Sequence, residues 1–283
     1  MDKKSITTEV TIADWLRNAT ARLKGVGIET ARLDAEIILA HTIKRPRTYV
    51  HAHSEDRLDR RDEQIADARL ELRRDFTPIA YIIGHKEFYG RRFKVTTATL
   101  IPRPETEIMI DMVKQSFAGT LPLLPETTRI VDVGTGSGCV GITLKLELPD
   151  TDVTLTDISN HALAVATHNA QTLHADVHFW QGDLLRNYGL SVDIICANLP
   201  YVDRSWQVSR DTQAEPDMAL YAADEGLMLI KLLILQSAQL LQPGGQLFLE
   251  ADPRQHTTIV NYAKHVGIVH RETHGFIMAF ERH

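Results

Sequence analysis

The chain has 283 residues, 43% apolar and 24% charged, with a net charge of −6. That profile fits a soluble globular protein, with length enough for one large domain or two ordinary ones. It argues against duplex nucleic acid as the main partner, since such binders carry a basic surface.

The N-terminal stretch MDKKSITTEVT has no apolar core and is not a signal peptide. Residues 1–80 read as helical. Thr11 is placed to cap a helix that buries Ile12, Trp15, Leu16, Ala19 and Leu23 at helical spacing. Thr30 is placed to cap a second, carrying Leu33, Ile37, Ile38 and Leu39. His51 and His53 in HAH lack the further ligands a metal needs and read as a solvated loop. In EDRLDRRDEQIADARLELRRD, Leu58, Ile65 and Leu72 are sparse among charges, which suggests a solvated helix laid over a neighbour. EFYGRRFKV is a hairpin around Gly90. In TLIPRPETEIMIDMVKQ, Pro104 suits a first helical position, and Glu105 and Glu107 suit the positive end of the helix dipole. The expected division is a helical domain over 1–80, a linker with a β-hairpin over 81–103 and a second domain over 104–283.

From residue 129 the rhythm becomes strand, loop, helix, repeated. RIVDVG, DVTLTD, VHFWQGD, VDIICAN and GGQLFLE read as strands; NHALAVATHNAQTL and GLMLIKLLILQSAQLL read as helices. Such alternation implies an α/β fold: a parallel sheet covered on both faces, with ligands beyond the carboxyl ends of its strands. GIVHRETHGFIMAFE reads as an antiparallel pair at the edge. The two cysteines, Cys139 and Cys196, lie in apolar stretches without CxxC spacing and are expected reduced and buried, as in a cytosolic protein. LMLIKLLIL, interrupted by Lys231, is too short to span a bilayer.

The chemistry lies at the strand ends. Gly134, Gly136 and Gly138 follow a strand and precede a helix, where glycine lets the backbone turn sharply and approach a ligand. Asp157 ends the next strand, where a carboxylate can hold both hydroxyls of a ribose. Gly136, Gly138 and Gly141 also fit the GxGxxG dinucleotide fingerprint, so an NAD enzyme stays open, although no hydride-transfer residue set accompanies it. Asp132, two residues before Gly134, makes the pattern D-x-G-x-G-x-G of S-adenosylmethionine (SAM) methyltransferases, whose loop wraps the amino-acid end of the cofactor. Asp183 ends the third strand and fits a partner for the adenine amino group. Asn198, Leu199, Pro200 and Tyr201 end the fourth strand and face the same crevice. An amide nitrogen is a poor nucleophile because its lone pair is delocalised into the carbonyl. The Asn198 side-chain oxygen and the Leu199 carbonyl offer two acceptors that would hold such an amide with its lone pair toward a methyl sulfonium. Tyr201 offers a face or edge to a planar group. The sulfonium is already a strong electrophile, so no metal is expected.

PIAYIIGHKEFYG, TLIPRPETE, VDVGTGSG, NLPY and AEPDMALYAADEGL together resemble the release-factor glutamine N5-methyltransferases, the PrmC/HemK family, over nearly the whole chain. The resemblance implies a Rossmann-like SAM-dependent domain behind a helical domain that engages the substrate protein. It implies methylation of the glutamine in the GGQ motif of class 1 peptide chain release factors. By position it assigns Gly134, Thr135, Gly136, Ser137, Gly138, Asp157, Asp183, Leu184 and Asn198 to the cofactor. It assigns Asn198, Leu199, Pro200 and Tyr201, with Arg103 and Glu105, to the glutamine. A cytoplasmic monomer without membrane or direct nucleic-acid partners is expected. The departures are Leu199 in place of a proline, Leu184 in place of an aromatic, EADPRQ without the usual glycine after Glu250, and a short C-terminal segment. A flipped base presenting an exocyclic amine, a glutamine of another protein, and a chain that keeps the fold without activity remain open alternatives.

Overall fold

The computed structural model describes residues 10–119 and 128–283. It divides into two compact units: the chain up to Gly84 with Arg210–Ala214, and His85–Ser209 with Glu215–His283.

The first unit is helical: α1 (Ile12–Gly25), α2 (Ala31–Thr42), α3 (Arg47–Ala52), α4 (Arg60–Arg74) and α5 (Ile79–Ile83). Thr11 caps α1, its hydroxyl oxygen accepting from the Asp14 N–H at 3.1 Å, and Ile12, Trp15, Leu16, Ala19 and Leu23 are all buried. In α2 the buried stripe is shifted. Leu33 is 39% exposed and Ile37 only partly covered, while Ala31, Ala35, Ile38 and Leu39 are inside. The reason is Asp34, which turns inward to accept from Arg73 Nε at 2.7 Å. Thr30 makes no capping bond, and its hydroxyl donates to Asp34 instead. The same pair rotates α4, which buries Ala66, Leu70 and Arg73 and leaves Leu72 exposed and Ile65 half-buried. Arg73 also grips Asp211 with two hydrogen bonds of 2.8 Å, drawing the 210–214 segment into this unit. His51 and His53 are exposed, as expected, but they end a helix rather than sit in a loop: Tyr49 and His53 stack at 4.0 Å. No cluster of metal-ligating side chains occurs among the described residues.

The second unit begins with a hairpin, β1 (His85–Phe88) and β2 (Arg91–Lys94). Tyr89 and Gly90 both take left-handed φ at its turn, the geometry that matches strand twist. Phe88 and Phe93 are buried. The main sheet holds β3 (Arg129–Val133), β4 (Asp152–Asp157), β5 (His178–Gln181), β6 (Val192–Ala197), β7 (Leu241–Glu250), β8 (Ile268–His274) and β9 (Ile277–Arg282), in the order β5-β4-β3-β6-β7-β9-β8. The first five strands of that order are parallel, and β9 runs antiparallel to β7 and β8.

Helices cover both faces, and strand alternation decides which residues meet which. Val131, Ile195 and Leu247 face α9 (Met228–Leu240) and α10 (His256–His265). Ile130, Ile194 and Phe248 face α6 (Glu107–Gly119), α7 (Cys139–Glu147) and α8 (Asn160–Leu173), with the hairpin phenylalanines. Each such fully buried side chain contributes about 1.5–3 kcal/mol over exposure. The α/β class expected from the strand–helix rhythm therefore holds, as does the Rossmann-like form that the resemblance implied. Both cysteines are free thiols; Cys196 is buried, whereas Cys139, opening α7, is only partly so. No helix among the described residues is long and apolar enough to cross a membrane.

Candidate active site

Parallel register lines up the strand ends. Val133 pairs with Thr156 on β4 and with Ala197 on β6, and Ala197 pairs with Leu249 on β7. The next residue of each strand therefore stands in one row: Asp157, Gly134, Asn198, Glu250. Strand order reverses between β3 and β6, and a crevice forms at such a switch point. The cavity there measures about 410 Å³, within the range of small-molecule sites. Gly134, Gly136, Asp157, Asp183, Leu184, Asn198, Leu199 and Pro200 all line it. Thr97 to Leu100, just ahead of IPRPETE, add a further wall.

The three glycines of the loop all have left-handed φ, but they do different work. A Cβ on Gly134 would stand 2.9 Å from Leu199 Cδ2, at the cavity wall. A Cβ on Gly138 would meet Ile142 Cδ1 at 2.6 Å and Ala166 and Leu155 at 3.2 Å, so Gly138 serves helix packing behind the cavity. Thr135 and Ser137 are buried and do not line the cavity. They hold the loop in shape. Thr135 donates its N–H to Thr156 O at 2.8 Å and its hydroxyl to Asp132 at 2.5 Å. Asp132 also accepts the Gly141 N–H at 2.9 Å. Burial pushes the Asp132 carboxyl up to about 6 against these two hydrogen bonds, with the Asp157 charge adding to the rise. Asn169 of α8, fully covered, donates to Ser137 O at 2.8 Å and exchanges two hydrogen bonds with the Lys94 backbone, tying the loop to the hairpin.

Asp157 accepts the Gly136 and Ser159 N–H groups, each at 2.9 Å. Burial raises its carboxyl above the ordinary range, opposed by those donors. An ionised carboxylate has about four acceptor positions, so room remains for two ligand hydroxyls. Leu184 adopts a left-handed φ of 51°, rare for a branched residue, beside the exposed Asp183.

The strand-four motif is anchored from behind. Leu199 is buried, and Asn198 Nδ2 donates to Thr106 Oγ1 at 3.2 Å. The Thr106 hydroxyl donates to Glu250 at 2.5 Å, and the Tyr201 hydroxyl donates to the other Glu250 oxygen at 3.2 Å. Tyr201 thus stands outside the cavity lining, and burial raises its hydroxyl well above the usual tyrosine range. Gln255 donates to Tyr201 O at 2.9 Å and to Glu225 O at 2.8 Å. Gly226 passes so close that a Cβ would collide with the Tyr201 carbonyl. This clamp accounts for EADPRQ and for the glycine in AADEGL. Arg103 is paired with buried Glu215, which also accepts the Ile101 N–H at 3.0 Å. Neither Arg103 nor the exposed Glu105 lines the cavity.

Comparison with known proteins agrees with this arrangement. The family described as PrmC N-terminal domain matches residues 14–84, and the Methyltransferase small domain matches residues 107–215. The release factor glutamine methyltransferase of Deinococcus radiodurans is 33% identical over 250 residues, 88% of each chain. That of Koribacter versatilis is 37% identical over 256 residues, 86% of this chain and 89% of its own. The chain belongs to the release factor glutamine methyltransferase family. A methyltransferase from Pyrococcus furiosus shares the fold, with a TM-score of 0.52 at 15% identity, over 76% of this chain and 97% of that one.

For this family member, sequence reasoning missed Thr106, Asn169, Glu215, Glu250 and Gln255. Glu250 carried a readable signal: an acid closing an apolar strand, as Asp157 does. Thr106 sat in view between two glutamates of PRPETE. Asn169, Glu215 and Gln255 act through partners far away in sequence.

Proposed function

We propose that this chain transfers the methyl group of SAM to the side-chain amide nitrogen of the glutamine in the GGQ motif of a class 1 peptide chain release factor. The observation that carries the reading is the row Asp157, Gly134, Asn198, Glu250 at the switch point, in a chain a third or more identical to release factor glutamine methyltransferases along most of its length.

The residues present fit SAM. Bare Gly136 leaves space at the loop, Asp157 has acceptor capacity for a ribose, and Asp183 lines the same cavity for the adenine amino group. Leu184 supplies an apolar wall. Bound there, SAM supplies an electrophilic methyl on sulfur. Everything else falls to the protein. The Asn198 oxygen and the Leu199 carbonyl accept the two N–H groups of the target amide and turn its lone pair toward the cavity. Pro200 stiffens that turn, and Tyr201, fixed by Glu250 and Gln255, closes the motif. The nitrogen gains a carbon and sheds one proton to water. Orientation of this type is worth several powers of ten in rate.

Arg103, through Glu215, fixes the loop that carries Thr106, and Glu105 borders it on the solvent side. The reading gives residues 1–80 the docking of the release factor, 81–103 the linkage and 104–283 the transfer, in a cytoplasmic monomer. The test is labelled-methyl transfer to an intact release factor, with mass spectrometry locating the product. One methyl on the GGQ glutamine is expected. An unlabelled factor beside labelled RNA or DNA would move the target to a base amine.

A further inference from the structure

Thr106 meets Asn198 from behind the cavity, and Glu250, on the neighbouring strand, holds Thr106. Thr106 and Glu250 are buried, each 2% exposed. Thr106 has one hydroxyl proton, and it goes to Glu250 Oε2. Its oxygen can therefore only accept toward Asn198, and the nitrogen it meets is Nδ2 at 3.2 Å. Burial raises the Glu250 carboxyl, and the Thr106 and Tyr201 hydroxyls and the nearby Asn198 amide oppose that rise. The second Glu250 oxygen accepts from Tyr201.

A primary amide has two ends of nearly equal shape, and a half-turn about its last bond exchanges them. In most surroundings either end serves. Here the pocket behind Asn198 offers only acceptors. A flipped Asn198 would set its oxygen against the Thr106 oxygen and a carboxylate, with no donor in a buried place. Its NH₂ would then face the cavity, where the target amide also presents N–H groups. We propose that Thr106 and Glu250 are positioning residues that fix the flip of Asn198, so that Oδ1 points at the substrate amide. The proposal rests on the reading that Asn198 accepts from that amide.

The fold makes this possible through register. Ala197 pairs with Leu249, so Asn198 and Glu250 leave neighbouring strands side by side. Thr106 arrives from the turn Pro104–Thr106 ahead of α6. By holding Tyr201 as well, Glu250 fixes both ends of the Asn198–Tyr201 tetrad. A role for Glu250 as general base fits worse: both its oxygens are taken by Thr106 and Tyr201, and a methylated amide nitrogen gives up its proton to water without help.

The experiment uses the full chain. Steady-state transfer to a release factor at saturating SAM, SAM affinity by calorimetry and thermal melting are measured for Thr106→Val, Thr106→Ser and Glu250→Gln. Thr106→Val keeps the shape and removes the hydroxyl; kcat should fall roughly 10- to 100-fold, the scale of a misplaced reacting group, with SAM affinity within about twofold. Thr106→Ser should return kcat to within roughly threefold of wild type, because the hydroxyl rather than the methyl is what counts. Glu250→Gln turns one acceptor into a donor and should lower kcat with SAM affinity held. If Thr106→Val does not fold, Glu250→Gln decides by the same split. Wild-type kcat in a folded Thr106→Val or Glu250→Gln overturns the proposal. So does a Thr106→Ser protein as slow as Thr106→Val, or a kcat loss matched by an equal loss of SAM affinity. Should the wild type leave the release factor unmethylated, the functional reading fails instead. The flip is then read without substrate, from the side-chain amide NMR signal of Asn198: slow hydrogen exchange in the wild type and fast exchange in Thr106→Val support it, and equal exchange overturns it.

Discussion

Leu199 and Gly134 meet at the cavity wall. The Leu199 methyl lies where a Gly134 side chain would begin, and Gly134 also holds a φ of 71°. Gly134→Ala should therefore suffer twice: about 1–2 kcal/mol of left-handed strain, and a leucine pushed toward the cavity. Calorimetry should show SAM binding weakened, with part of the loss recovered in Gly134→Ala/Leu199→Ala, where the steric conflict is gone. Strictly additive losses would show that the two residues do not touch. Leu199→Pro keeps the backbone carbonyl, and among the described residues no hydrogen bond from the Leu199 N–H is lost. It should retain transfer within a few-fold, at a stability cost of about 1–3 kcal/mol for missing packing. A folded, SAM-bound but inactive Leu199→Pro would mean a site rebuilt around leucine. Asp132 gives a pH signature. Its carboxyl rises from 3.8 to about 6 on folding, so the native state holds that proton more tightly than the unfolded chain. The stability it contributes is complete below its unfolded value and lost as pH rises through about 6, an effect of roughly 3 kcal/mol. Asp132→Asn, whose oxygen can still accept from Thr135 and Gly141, should flatten that fall. Chemical denaturation of both proteins on either side of the window checks it; parallel curves would show that Asp132 titrates like a free carboxyl.

Among elements, α4 separates pattern from placement. Leu70 is fully buried and Leu72 is 50% exposed, although both are leucines two residues apart. Leu70→Ala should cost about 2–5 kcal/mol and Leu72→Ala less than about 0.5. Melting curves decide, and equal losses would displace the assigned face. The reason the sequence misled here is physical. Helix α1 buries an uninterrupted apolar stripe, so spacing alone located it. Helices α2 and α4 meet through Asp34 and Arg73, and a buried charge pair does not register as a hydrophobic face. The central strands β3, β6 and β7 were legible because their apolar runs meet helices on both faces. The glycine loop, Asp157 and Asn198 were legible because they close strands in chain order. The meeting of Thr106 and Glu250 with Asn198 was not, because it depends on the Ala197–Leu249 register and on the turn before α6. Local periodicity carries neither. The tetrad's anchorage by Gln255 and Gly226 was hidden for the same reason.

At the scale of the whole molecule, the hairpin decides where the second unit starts. Phe88 and Phe93 are buried in the core formed with α6 to α8. A chain beginning at Thr96 would lack both, and each large-to-small loss of this kind costs about 3–5 kcal/mol. One beginning at His85 keeps them, along with the Lys94 contacts of Asn169 that steady the glycine loop. It also loses Arg73 and Phe76, which hold Asp211 and Arg210 of the 210–214 segment. That segment leads directly into Glu215 and Pro216, and Pro216 lines the cavity. The expectation for a chain of residues 85–283 is therefore specific. It should fold and bind SAM, with affinity reduced only as far as the loosened segment disturbs the cavity wall. It should methylate a short GGQ-containing peptide and the intact release factor at similar low rates, whereas the full chain should strongly favour the intact factor. Calorimetry and transfer to both substrates supply the measurement. Equal preference for the intact factor in the two proteins would remove residues 1–80 from substrate docking. Loss of SAM binding in a folded 85–283 chain would give the helical unit a part in holding the cofactor.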